Sequence, residues 1–472
     1  VIQTAAGAGR WRDLLGGGHL GASIVLAGGV ALYATNEFLT SSLLPNTVAE
    51  IGGARLYAWV TTLYLVGSVV AATLVNPILL RAGPRSSYLF ALSVFGVASL
   101  VCAAASDMAV LIAGRALQGL AGGLLAGLGY AVINAALPHA LWTRGSALVS
   151  AMWGVATVVG PATGGLFAQF GLWRWAFVAM AVLSALMAAL VPAALPAGRA
   201  NPDAASPVLK VPVWSLLLLG AAALAVSVAQ IPHDIGATAA LLVVGVALAA
   251  VFVVVDRRAQ ATVLPPSVFG PGPLKWVYLA MAVLMAAAMV NTYVPLFGQQ
   301  LAHLRPVAAG FLGATLAFGW TVSEIVSAAL DKPRVIGRVI VAAPVVVAAG
   351  LALAAVAQRA DAPAGLVVWW AVGLLVAGVG VGMAWPHLAV RAMDSVDDPA
   401  EGGAAAAAIN TVQLVSAAFG AGLAGVVVNT AQGGGVPAAR WLFTVFAALS
   451  AAGIVSGYRA SRRAGRGVRR PA

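Results

Sequence analysis

Apolar residues fall along this chain in long unbroken runs, separated by short charged or proline-rich breaks. Runs of about 20 apolar residues are what a helix needs to cross a bilayer. Stretches such as Leu216 to Ala229 and Ala239 to Val255 lack the polar–apolar alternation of a transmembrane barrel strand. The pattern predicts six spans, at Leu20 to Pro45, Tyr57 to Leu80, Ser87 to Ala105, Met108 to Leu137, Ser146 to Phe170 and Trp175 to Leu195. A polar stretch, Pro196 to Lys210, then precedes an extra pair at Val213 to Ile231 and Ala237 to Val255. After Asp256 to Lys275 six more follow, at Trp276 to Leu301, Val307 to Leu330, Val339 to Ala357, Gly365 to Val390, Ala404 to Asn429 and Leu442 to Tyr458. The expected fold is all-α and polytopic. An N-terminal six-helix bundle spans 1–195, linkers with two extra helices 196–275, a C-terminal six-helix bundle 276–458, and a basic tail 459–472.

Composition sharpens this picture. Of 472 residues 61% are hydrophobic and 8% charged, where a soluble domain carries about 25% charged. No room is left for a large enzyme domain outside the bilayer. The one cysteine, Cys102, lies inside an apolar run, so neither a disulfide framework nor a cysteine metal site is expected. Val1 to Gly18 is polar and glycine-rich, which predicts that the first apolar run is kept as a helix rather than cleaved as a signal. The net charge of +12 is scattered among loops rather than clustered with aromatics on one surface, which argues against nucleic acid as a partner.

Basic loops are retained on the cytoplasmic side. With fourteen spans, 20 arginines and lysines fall on the side of both termini and five on the other, Arg55, Arg174, Arg305, Arg359 and Arg440. Both termini are therefore expected in the cytoplasm, in a multi-pass protein of the inner membrane. Trp142, Trp173, Trp175, Trp214, Trp276 and Trp441 sit at expected span ends, where amphipathic rings favour the interface. Two six-helix halves suggest repeats with a site between them near mid-membrane. The turns Leu80-Arg81-Ala82-Gly83-Pro84-Arg85 and Asp331-Lys332-Pro333-Arg334 echo each other after the second span of each half.

Charges inside spans are costly and mark function by default. Glu37 lies about 17 residues into the first span, with Asn36 beside it and Thr40 and Ser41 at helical spacing. A carboxyl in that setting can load and release protons. Glu324, with Trp320 and Ser327 on its face, lies near the end of its span. Two readings stand for it, proton coupling or an interfacial pairing with an arginine. Arg115, the one base inside a span, needs a carboxylate or carbonyls as partners. Behind it Gly119, Gly123 and Gly127 form a smooth packing face. His387, beside Pro386, reads as interfacial, and no nucleotide-binding loop, metal cluster or cofactor is expected.

The segment Gly154-Val155-Ala156-Thr157-Val158-Val159-Gly160-Pro161-Ala162-Thr163-Gly164-Gly165 combines a helix-kinking proline with a face of small residues. It resembles the antiporter signature of the fifth helix in exporters of the major facilitator superfamily. The stretch around Arg115, Gln118 and Gly119 is similar to the fourth-helix motif of that superfamily's fourteen-span drug:proton antiporters. Arg305 to Gly310, Gly378 to Gly382 before Pro386, and Glu401 to Gln413 resemble late-half patterns. The sequence departs from the family in two places. Leu80 stands where the first loop motif has an aspartate, and Asn36 stands where the first helix has one, with Glu37 a step on.

The resemblance implies a proton-coupled antiporter exporting amphipathic or cationic drugs by alternating access. Export of a lipid or lipid-like metabolite by the same fold is the alternative, with a channel or an intramembrane enzyme further off. The charges inside spans make Glu37, Arg115 and Glu324 the expected proton-coupling residues. The resemblance also implies a substrate cavity lined by Asn36, Thr40, Ser41, Gln118, Trp153, Asn291, Gln299, Trp320, Asn410 and Gln413. Gly154, Gly160, Pro161, Gly164 and Gly165 would form the antiporter motif, and Arg81, Gly83, Arg85, Asp331 and Lys332 the gating loops. The expected partners are a small-molecule substrate, protons and membrane lipids, with the protein a monomer.

Overall fold

The structure is a computed structural model and describes residues 11–138, 141–195, 212–229, 231, 234–259, 262–330, 332–396, 402–431 and 433–461. Its long elements are α1 (Leu20–Ile51), α2 (Tyr57–Ala103), α3 (Met108–Ala131), α4 (Trp142–Gln169), α5 (Trp173–Ala194), α6 (Val213–Val228) and α7 (Ile235–Arg258). They continue with α8 (Leu274–Ala288), α9 (Val294–Ala302), α10 (Pro306–Ser327), α11 (Pro333–Val356), α12 (Ala364–Asp394), α13 (Gly402–Thr430), α14 (Gly435–Ala452) and α15 (Ile454–Ser461). No strand is present among the described residues. In hydrocarbon every backbone group must be paired within its own segment, which is why each apolar run closes into a helix. Among the described residues thirteen segments are long and apolar enough to cross a membrane, and the shorter apolar helix α6 lies where the remaining expected span falls. The linker Pro196 to Lys210 lies outside the described residues.

Span ends depart from the sequence reading where prolines were taken as boundaries. Helix α1 runs through Pro45 to Ile51, because one missing N–H is tolerated inside a span. It stops at Gly52 and Gly53, whose φ of 74° and 78° only glycine adopts at no cost. The second and third spans form a single helix, α2, interrupted at Gly83, whose φ of 76° breaks it at the basic turn. The span expected at Trp276 to Leu301 is broken into α8 and α9 by a tight turn at Met289–Thr292. Pro295 supplies no N–H to the Asn291 carbonyl four residues before, so an α-helical ladder cannot pass through.

The chain forms two compact units, Val1–Val211 with Arg305–Phe311, and Pro212–Leu304 with Leu312–Ala472. In the first, α2 and α3 pack with backbones nearly touching. A Cβ on Gly123 would lie 2.5 Å from Ser68 Cα, and one on Gly119 would strike the Tyr64 carbonyl. Asp107 starts α3, its Oδ1 accepting from the N–H groups of Ala109 and Val110 at 2.9 and 3.0 Å. The Val110 N–H, with Ser106 and Ala109, holds that carboxyl below the usual range. At the same end, Trp173 donates to Glu50 at 2.6 Å, and Arg174 pairs with Glu50 and donates to the Ala105 carbonyl at 3.0 Å. Trp173, expected at the interface, is therefore buried in a clasp between helix ends.

In the second unit α11 and α12 approach through Gly350, Gly373 and Gly380, and α10 meets α12 through Gly319, Gly378 and Gly382. The extra pair packs here. Helix α6 meets α7 at Gly245 and α13 at Gly422, where a Cβ would lie 2.9 Å from Val226 Cγ2 and 2.8 Å from Ser227 Oγ.

Candidate functional site

The first unit holds a polar network deep between α1, α2, α3 and α4. At its centre is Arg115, only 1% exposed. Its Nη1 donates to Gln118 Oε1 at 2.8 Å and its Nε to the Val60 carbonyl at 3.4 Å. The guanidinium carbon lies 4.0 Å from the centroid of the Tyr64 ring. A carbonyl, an amide oxygen and an aromatic face thus hold the cation, and a desolvated cation–π contact alone is worth about 2 kcal/mol. Glu37 lies near enough for the two charges to interact, but no direct ion pair joins them among the described residues.

Gln118 is the hub of this network. Its Oε1 also receives Asn36 Nδ2 at 3.4 Å and Cys102 Sγ at 3.5 Å, while its Nε2 donates to Ser99 Oγ at 2.8 Å. Gln118 and Asn36 are fully buried, so they hold the site together rather than line its open face. Asn36 Oδ1 nevertheless has no partner, and neither does the Tyr33 hydroxyl. Thr40 and Ser41 donate to the carbonyls of Asn36 and Phe38 at 2.7 and 2.8 Å, which leaves only their lone pairs for a ligand. Half-buried Glu37 shares this helix.

Aromatic rings wall the network. Tyr33 stacks on Tyr64 at 5.4 Å, and Trp153 meets Tyr33 edge-on at 5.6 Å. The Tyr64 hydroxyl donates to the Tyr33 carbonyl at 2.9 Å. Tyr33, Tyr64, Ser99 and Cys102 were missed in the sequence. Tyr33 carried a usable signal, lying four residues before Glu37 on the same helical face. The others are neutral residues in apolar runs and become partners only through packing.

Helix α4 lies against α1 along the glycine motif. A Cβ on Gly160 would sit 2.5 Å from Phe38 Cβ and 3.1 Å from the Thr35 carbonyl oxygen, and one on Gly164 would be 3.0 Å from Leu39 Cα. Gly165 faces the start of α10 within the same unit, where a Cβ would lie 2.5 Å from Val307 Cα. Pro161 is inside the helix, and Gly154, half-buried, starts the motif one turn after Ser150. The motif thus seats α4 against the helix that carries Glu37.

In the second unit Glu324 accepts from Trp320 Nε1 at 3.0 Å on its own helix. Trp320 in turn packs against Trp385 of α12, centroids 5.4 Å apart. No pairing of Glu324 with an arginine is found among the described residues. Asn291 lies in the turn between α8 and α9 and Gln299 within α9, and Asn291 Oδ1 and Gln299 Nε2 are buried without partners. Gln413 is half-buried on α13. The side chain of Asn410 and all of Asp331 lie outside the described residues. Arg81 is exposed and Arg85 half-buried around Gly83, and Lys332 is exposed just before α11.

Comparison with known proteins places the whole chain. A sequence profile of the Major Facilitator Superfamily matches residues 26–421. A probable multidrug-efflux transporter of Mycobacterium tuberculosis is 69% identical over 466 residues, covering 98% of this chain and 99% of that protein. Among solved structures, a POT family transporter in complex with 5-aminolevulinic acid aligns with a TM-score of 0.66 at 11% identity, over 94% of this chain and 97% of its own. A D-xylose–proton symporter aligns with a TM-score of 0.65 at 14% identity, over 93% and 97%. At such identities the two structures speak for the fold alone. Apolar helices throughout, buried polar groups between them and a matched sequence profile make one conclusion: this chain belongs to the Major Facilitator Superfamily and is a multi-pass membrane transporter, not an enzyme.

Proposed function

We propose that this transporter is a proton-coupled exporter of amphipathic or cationic drugs, with both termini in the cytoplasm of an inner-membrane protein. The observation that carries the reading is Glu37, an acid within a span, set beside the buried Arg115, Gln118 and Asn36 network without an ion pair of its own among the described residues. The 69% identity to a probable multidrug-efflux transporter supports the substrate class.

In this mechanism Glu37 alternates between two states. A proton from outside neutralises it, which removes the cost of an unpaired charge within the span. Facing the cytoplasm, the proton leaves, and the freed carboxylate favours a cationic drug. Half-buried Trp153, set against Tyr33, offers it aromatic surface, which attracts cations. Arg115 stays charged throughout and keeps the site from collapsing into a neutral core.

Purified protein in vesicles, with its cytoplasmic face outward and an acid lumen, is expected to accumulate cationic dyes and drugs in the lumen and to stop when the gradient is dissipated. Movement of lipid analogues alone would turn the reading to a lipid exporter. Accumulation that ignores the gradient would remove proton coupling.

A further inference from the structure

The sequence reading placed His387 at an interface, but the structure buries it to 8% exposure on α12. The span expected at Gly365 to Val390 runs through Pro386, and α12 continues to Asp394. His387 Nε2 lies 2.9 Å from Ser327 Oγ, the last residue of α10. Ser327 spends its single hydroxyl proton on the Met383 carbonyl, at 2.6 Å. A serine already donating can only accept from the ring, so Nε2 carries the hydrogen. Nδ1 is then the nitrogen that gains or loses a proton.

We propose that His387 takes up and releases a proton during the transport cycle, as a second protonation site in the second unit beside Glu324. The inference rests on the proton-coupled reading above. Ser327 follows Glu324 by three residues, which puts both on one face of α10, and α10 presents that face to α12 through Trp320 against Trp385 and Trp320 against Gly382. An acid and an imidazole therefore stand along one helix contact, with a serine tethering the imidazole. His387 is seven residues short of Asp394, about 10 Å along the axis, so it lies between the interior acid and the aqueous end of its helix.

The charges around it are few. Arg391 lies four residues on along the same helix and is anchored to the Ala460 carbonyl. Glu324 is on α10, while Arg334 and Arg338 lie exposed in the first turns of α11. Lys275 at the start of α8 is exposed and donates to the Gly270 carbonyl at 3.1 Å, and Arg459 of α15 stacks on Trp276 at 4.3 Å. Helix α9 and the described part of α13 carry no charged residue. Among the described residues the acids on these helices are Glu324 and, two turns on along α12, the exposed Asp394; the other charged groups named here are cations, which favour release of the proton.

The test compares the pH profiles of gradient-driven transport in wild type, His387→Gln and Ser327→Ala. Glutamine keeps an N–H donor for Ser327 but cannot titrate, so the profile of His387→Gln should flatten between about pH 5 and 8, where histidine ordinarily changes charge. Ser327→Ala should keep a titrating profile with a displaced midpoint. Equal weakening of both variants at every pH, with the wild-type profile unchanged in shape, would make His387 a mere tether and overturn the inference. If wild type itself shows no gradient-driven transport, the proton-coupled reading fails first and is told apart by that control. Should His387→Gln not fold, the histidine NMR resonance that remains after replacing His19, His139, His233 and His303 gives a direct reading. Titration in that range with a shift on adding rhodamine 6G supports the proposal, and a resonance neutral throughout contradicts it.

Discussion

Replacing Glu37 with glutamine is expected to abolish pH-driven drug accumulation while leaving the protein folded. Glutamine has nearly the shape of a protonated glutamate and stays neutral within the span, so no new unpaired charge is introduced. What it loses is the ability to shed a proton. Drug should still bind, more weakly if cationic, and drug already inside should still exchange with drug outside. Accumulation against a concentration gradient should fall to the level of empty vesicles. Glu324→Gln should cost less, because Glu324 is held by Trp320 on its own helix and lies near its end. Dye accumulation in vesicles checks both. The reverse ranking, with Glu37→Gln unaffected, would move the coupling role to Glu324.

Gly164→Leu should separate coupling from folding by a different route. The α-carbon of Gly164 faces the backbone of Leu39, with Leu39 Cα 3.0 Å from where a Cβ would stand. The neighbour is backbone and cannot rotate away. Overpacking of a well-filled contact costs about 1 to 3 kcal/mol, and here the displacement acts on the helix that carries Glu37. The variant should insert, melt several degrees lower, and transport poorly with proton leak. Gly154→Ala, at a half-buried position earlier in the motif, should be mild by the same measures. A Gly164→Leu protein with wild-type melting and efflux would show that α4 does not depend on this close approach.

How much of this was legible beforehand follows from the physics of each feature. The spans could be read because a bilayer leaves a chain no alternative to helices. Their ends could not all be read, since Pro45 looks like a stop in a sequence and is absorbed by a buried helix. Pro295 does break its helix, and nothing local distinguishes it from Pro45. Glu37, Arg115 and Glu324 stood out as charges where charge is costly. The Tyr64 ring beneath Arg115, and Ser99 and Cys102 around Gln118, are ordinary residues of apolar runs until α2 folds back at Gly83 against α3. Glycines were readable as a packing face, but which backbone each one meets required the fold.

The central claim is that drug and proton move in opposite directions through one carrier. Its most direct measurement uses purified protein in vesicles loaded with a pH-sensitive dye, with no gradient imposed at the start. Drug added on the cytoplasmic face should move into the lumen and drive protons out, so the lumen turns alkaline in step with drug entry. Glu37→Gln vesicles should show no such change. Drug entry with no proton movement, or with acidification of the lumen, would contradict antiport.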